Sequence, residues 1–125
     1  MVREYKSGAE IVSTLDVPVI RLDSYIANRG IESVKLIKID AEGFELPILK
    51  GLEDFLRKSR CRPEIICEIA PRAYPLMGRS ITELGDFMSE YGYVARDLLD
   101  GATPVKLQEM RNVDDVLFSV NAVNL

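Results

Sequence analysis

The residues best suited to chemistry lie in Lys38-Ile39-Asp40-Ala41-Glu42-Gly43-Phe44-Glu45, where three carboxylates and a glycine directly follow the apolar run 34–37. A buried strand that empties into a turn leaves its last side chains at the sheet's carboxyl edge, where open α/β sheets bind ligands. Downstream, Glu68 closes a second strand-like run, Glu64-Ile65-Ile66-Cys67-Glu68-Ile69, so its carboxylate is expected beside Asp40. Two neighbouring carboxylates shift each other's pKa and can provide a base. The structural alternative for Glu68 is a solvated strand end or an ion pair with Arg72. Asp40 can equally cap the helix after its strand. Glu42 can bind a hydroxyl or assist a metal, or can share with Glu45 the favourable position of negative charge at a helix N-terminus. Tyr74, in the loop after the second strand, either lines an acceptor pocket or only packs.

Other chemistries are excluded by residue type. There is no histidine among the 125 residues, so Ser-His-Asp and Cys-His nucleophile systems cannot be built. Cys61 and Cys67 are the only thiols, too few for a thiolate zinc site, and a disulfide between them is not expected. A metal held by Asp40, Glu42 and Glu68 has no ligand spacing behind it, and none is expected. The net charge of −4 comes without a basic block, which argues against nucleic acid or an anionic membrane as partner. No apolar stretch reaches the ~18 residues of a membrane span. The polar start Met1-Val2-Arg3-Glu4-Tyr5-Lys6 lacks the apolar core of a signal peptide, so the expected location is cytoplasmic.

The elements that position these groups follow from periodicity and punctuation. Residues 1–16 carry no assignable pattern, and 17–125 read as one α/β unit. The segment 17–22 reads as a short edge strand because of Pro18, and Asp23 as the N-cap of a helix to Asn28 that Gly30 ends. The run 34–39, apolar on both faces, reads as a central strand. A helix is expected over 44–58, with Ile48, Leu49, Leu52, Phe55 and Leu56 at three-and-four spacing. Pro47 fits only its first turn, and Gly51 is a point of breakage. A loop is expected over 71–79. Ser80-Ile81-Thr82-Glu83 matches a capping box and opens a helix closed by Gly92. Strands over 93–98 and 116–120, joined without a clear helix, give an antiparallel C-terminal strand in an otherwise parallel sheet.

Taken in order, Leu22-Asp23, then Lys38-Ile39-Asp40-Ala41-Glu42-Gly43, Glu45, Leu49-Lys50-Gly51, then Pro63 to Ile69, and finally Asp115-Val116-Leu117-Phe118, resemble the C-terminal half of FkbM-type methyltransferases. The resemblance covers about residues 17–120. It implies a partial doubly wound, Rossmann-like α/β sheet holding the fourth to seventh strands of the family's domain, in spatial order four, five, seven, six, with the seventh antiparallel. It implies S-adenosylmethionine as cofactor and methyl transfer to a hydroxyl of a small molecule or sugar. Asp40 and Ala41 would lie near the methionine end of the cofactor, and Asp40, Glu42 and Glu68 would be the catalytic carboxylates. The family's acidic residue and glycine-rich cofactor loop are not found upstream, which leaves an acceptor-side half and an expectation that the isolated chain is inactive. The strand at 34–40 would then expose an open edge, to be covered by a homodimer, by a complementary N-terminal half, or by residues 1–22. Three functional readings stay open: an enzyme half, a catalytically inactive binding protein, and a remnant without function.

Overall fold

The computed structural model describes residue 10 and residues 12–120. Its elements run α1 (Leu22–Asn28), β1 (Leu36–Ile39), α2 (Glu45–Lys50), α3 (Glu53–Lys58), β2 (Glu64–Ile69), α4 (Ala73–Leu76), α5 (Ile81–Glu90), β3 (Tyr93–Asp97), a 3-10 turn (Leu107–Glu109) and β4 (Asp114–Val120). The four strands form one sheet in the order β1-β2-β4-β3. β1 and β2 are parallel, and β4 runs antiparallel to both β2 and β3. Three strands thus point one way and only the last opposes them. This is the mixed α/β, Rossmann-like arrangement and strand order that the resemblance implies.

Local signals account for most elements. Ser80 Oγ accepts the Thr82 N–H at 3.2 Å and starts α5, whose Leu84, Phe87 and Met88 face the core. Gly92 ends it at φ 79°, a conformation that L side chains avoid. The helix expected over 44–58 is broken in two at Gly51 and Leu52. Leu49, Leu52 and Leu56 remain on one fully buried stripe, because the break preserves their facing. Burying each contributes about 1.5–3 kcal/mol.

Three expectations are corrected. No strand forms over 17–22. Residues 17–21 are exposed and pair with none of the described residues, Leu22 opens α1, and Pro18 lacks an N–H. β1 is not central: among the described residues nothing pairs with its outer side, and Leu36 is 54% exposed. An apolar composition on both faces therefore marks a surface left uncovered here. Residues 73–76, expected as loop, close one helical turn, α4.

The helices lie on one side of the sheet. Ile39, Ile65, Cys67, Ile69, Val116, Phe118 and Tyr93 join Ile26, Leu46, Leu49, Leu52, Leu56, Tyr74, Leu84, Phe87 and Met88 in a single core. The opposite face carries Leu36, Lys38, Ile66, Glu68, Asp115 and Leu117, none of them buried. No helix among the described residues is long and apolar enough to cross a membrane.

Candidate functional site

The turn after β1 is built from two left-handed residues. Glu42 has φ 46° and Gly43 has φ 98°. Only glycine fits the second position, since a Cβ there would stand 3.1 Å from both Ala73 Cβ and Met77 Sδ. Glu42 pays a conformational penalty of about 1–2 kcal/mol for a non-glycine residue in that region. Its side chain is exposed.

Glu45 holds this turn from behind. Its side chain is completely buried. It accepts the Gly43 N–H on both carboxylate oxygens, at 3.0 and 3.1 Å, and the Tyr74 hydroxyl at 2.6 Å. Burial, the hydrogen bond to Glu45 and that carboxylate's charge all push the Tyr74 hydroxyl's pKa upward. Tyr74 is therefore a buried brace between α4 and the turn rather than the lining of an acceptor pocket, and Glu45 is not a solvated helix-terminal charge. The only hint in the sequence is the spacing Gly43-Phe44-Glu45, which lets a carboxylate reach the N–H two residues back. Tyr74, 29 positions away, carries no local signal.

Asp40 and Glu68 do come together. Ile39 pairs with Cys67, and Glu68 with Asp115. Asp40, Glu68 and Asp115 thus stand in a row along the carboxyl ends of β1 and β2 and the start of β4. Glu68 titrates above the usual glutamate range. Repulsion from Asp40 is the largest cause, followed by its hydrogen bond with Asp40, by burial and by Asp115, while Lys38 opposes them. The ion pair with Arg72 does not form. Asp115 Oδ1 is shielded from solvent without a hydrogen bond, with Lys38 Nζ at 3.9 Å. Cys67 is buried, its thiol pKa driven up first by desolvation and then by Glu45 and Asp115, so it is an inert core residue. Both cysteines are free. Among the described residues, no three acidic or thiol side chains are arranged to hold a metal ion.

Asp23 is a second structural carboxylate. It lies inside the first turn of α1, and Arg21 takes the N-cap position in its place. It receives Arg21 Nε and Nη2 at 3.1 and 2.6 Å, the Ser24 N–H at 2.7 Å and the Asp54 N–H at 3.3 Å, which ties α1 to α3.

Neither main cavity touches the acidic row. One of about 610 Å³ opens at the opposite end of the strands, between α1 and α3. The other, about 300 Å³, lies between α5, β3 and residues 104–108. Gly43's open side is filled by Ala73 and Met77, and Asp40 and Ala41 line neither cavity. Neither of these two cavities thus offers a cofactor a place against Asp40 and Ala41.

A family model described as the methyltransferase FkbM domain matches residues 2–95. No curated protein and no solved structure matches the chain.

Proposed function

The chain belongs to the FkbM methyltransferase family, and from that premise we propose that it supplies the acceptor side of an S-adenosylmethionine-dependent O-methyltransferase. The observation that supports this reading is the Asp40–Glu68 pair at the carboxyl ends of adjacent parallel strands. The Asp40 charge raises the energy of Glu68's ionised form, and this makes Glu68 a better proton acceptor than an isolated glutamate. A hydroxyl placed between them would be oriented by Asp40 and would yield its proton to Glu68. Glu42, held exposed in a strained backbone conformation beside Asp40, is suited to bind a further acceptor hydroxyl. The methyl donor is the cofactor's contribution. Residues 1–125 contain no glycine-rich loop to hold it.

The competing reading is a binding protein that keeps the fold without catalysis. It is favoured by Asp40 standing exposed at the strand end, outside the two cavities described above. Titration of the purified chain with S-adenosylmethionine tests the half-site, with no heat expected up to millimolar ligand. Micromolar binding would overturn it. When the chain is supplemented with a polypeptide carrying the glycine-rich half, methyl transfer to hydroxyl acceptors is expected. It should fall about 100-fold or more in Asp40→Asn and Glu68→Gln, the range of a lost general base. No methyl transfer on supplementation would favour the binding protein, and activity unchanged in both variants would remove Asp40 and Glu68 from the reaction.

A further inference from the structure

Two unsatisfied features of the described chain match each other. The first is the arm 12–20, without regular secondary structure and unpaired among the described residues, whose Val12, Leu15, Val17, Val19 and Ile20 are 65–91% exposed. The second is the outer edge of β1. Lys35 C=O accepts the Glu64 N–H, and the register pairs Ile37 with Ile65. In a parallel ladder this turns the backbone groups of residues 35, 37 and 39 toward β2 and leaves those of Leu36 and Lys38 facing outward. An exposed arm rich in β-branched residues and an open apolar edge are the two halves of a strand-addition interface.

We propose that two copies of this chain associate by exchanging arms, each laying residues 13–17 parallel along the partner's β1 with Asp16 opposite Lys38. Three constraints select this register. Asp16 is the only charge in 12–20, and Lys35 and Lys38 are the only charges in 35–39, so it places opposite charges side by side on the open face. Leu15 and Val17 then fall beside Ile37 and Ile39, continuing the helix-covered apolar face. The groups facing β1 come from Ser13, Leu15 and Val17, so Pro18 points away, where its missing N–H breaks no bond. An antiparallel pairing with Asp16 at Lys38 would put Pro18 opposite Leu36, where a donor is needed. The occupant is a second copy because in the single chain residues 12–20 form no strand pairing with β1. Exchange also leaves α1 anchored through the Asp23 N–H to Gly51 C=O bond of 2.9 Å. A complementary N-terminal half would compete for the same edge, so the dimer is measured on the chain alone.

Sedimentation equilibrium of the full chain should give a dimer of twice 14.1 kDa. Asp16→Lys and Lys38→Asp should each raise the dimer dissociation constant about tenfold, since each charge pair occurs twice in the symmetric assembly. The double reversal should restore it. In a Cys61→Ser background, mixing Asp16→Cys chains with Lys38→Cys chains should yield a disulfide-linked heterodimer under mild oxidation. A wild-type monomer at 100-fold dilution series extremes alike would overturn the proposal. So would a doubly substituted Asp16→Cys, Lys38→Cys chain that cross-links as a monomer, which would put the arm on its own edge.

Discussion

Two sets of carboxylates have opposite surroundings. Glu45 and Asp23 are buried and every approach to them is a donor: Gly43 and Tyr74 for one, Arg21, Ser24 and Asp54 for the other. Asp40, Glu68 and Asp115 are uncovered or half-covered and stand among like charges. A buried carboxylate persists only where donors replace its lost hydration. A carboxylate kept beside others stays reactive because its charge is left poorly compensated. Carboxylate count and spacing are therefore weaker guides to function than what faces each oxygen.

Removing a donor-saturated carboxylate should break this contrast most sharply. Glu45→Ala orphans the Gly43 N–H and the Tyr74 hydroxyl inside a sealed core and leaves a cavity, and should destabilise the fold by about 3 kcal/mol or more in urea denaturation. Tyr74→Phe removes only one donor and should lose about 1–3 kcal/mol.

Asp23 offers a smaller and pH-dependent effect. Its pKa is lowered below 3.8, chiefly by the Arg21 hydrogen bond, with burial opposing. The stability it contributes is therefore present above the unfolded value and lost as pH falls through the lower folded value. Asp23→Asn should be less stable than the parent at neutral pH, and the gap measured by denaturant midpoint should narrow toward acid.

The smallest effect has the opposite sign. Glu68's folded pKa is raised above 4.5 by Asp40, so its relative stabilisation is present below the unfolded value and lost as pH rises through the folded one. Glu68→Gln should thus shift the neutral-pH denaturant midpoint slightly upward, with no difference in acid. A downward shift would mean that Glu68 is a structural group like Glu45.

The strand 64–69 and the Ser80 cap were legible because each is set within a few residues, by an apolar run or a hydroxyl beside a helix start. The strand order was legible only through the resemblance. The role of Glu45 was not, since its main partner is supplied by α4 across the core. The strand expected over 17–22 failed for a related reason. Its β-forming residues are real, but a strand exists only when an edge is there to pair with it.

Sequence alone determined some boundaries, such as the strand 64–69 and the Ser80 start of α5, which residues are apolar enough to form the core, and that histidine-based chemistry is excluded. These depend on local hydrogen bonding, periodicity and residue type. Only the tertiary structure decided which carboxylates are braces and which stand in the acidic row, and that the helices cover one face of the sheet. Each of these depends on groups brought together from distant parts of the chain, where burial and neighbouring charge, rather than spacing, set the chemistry.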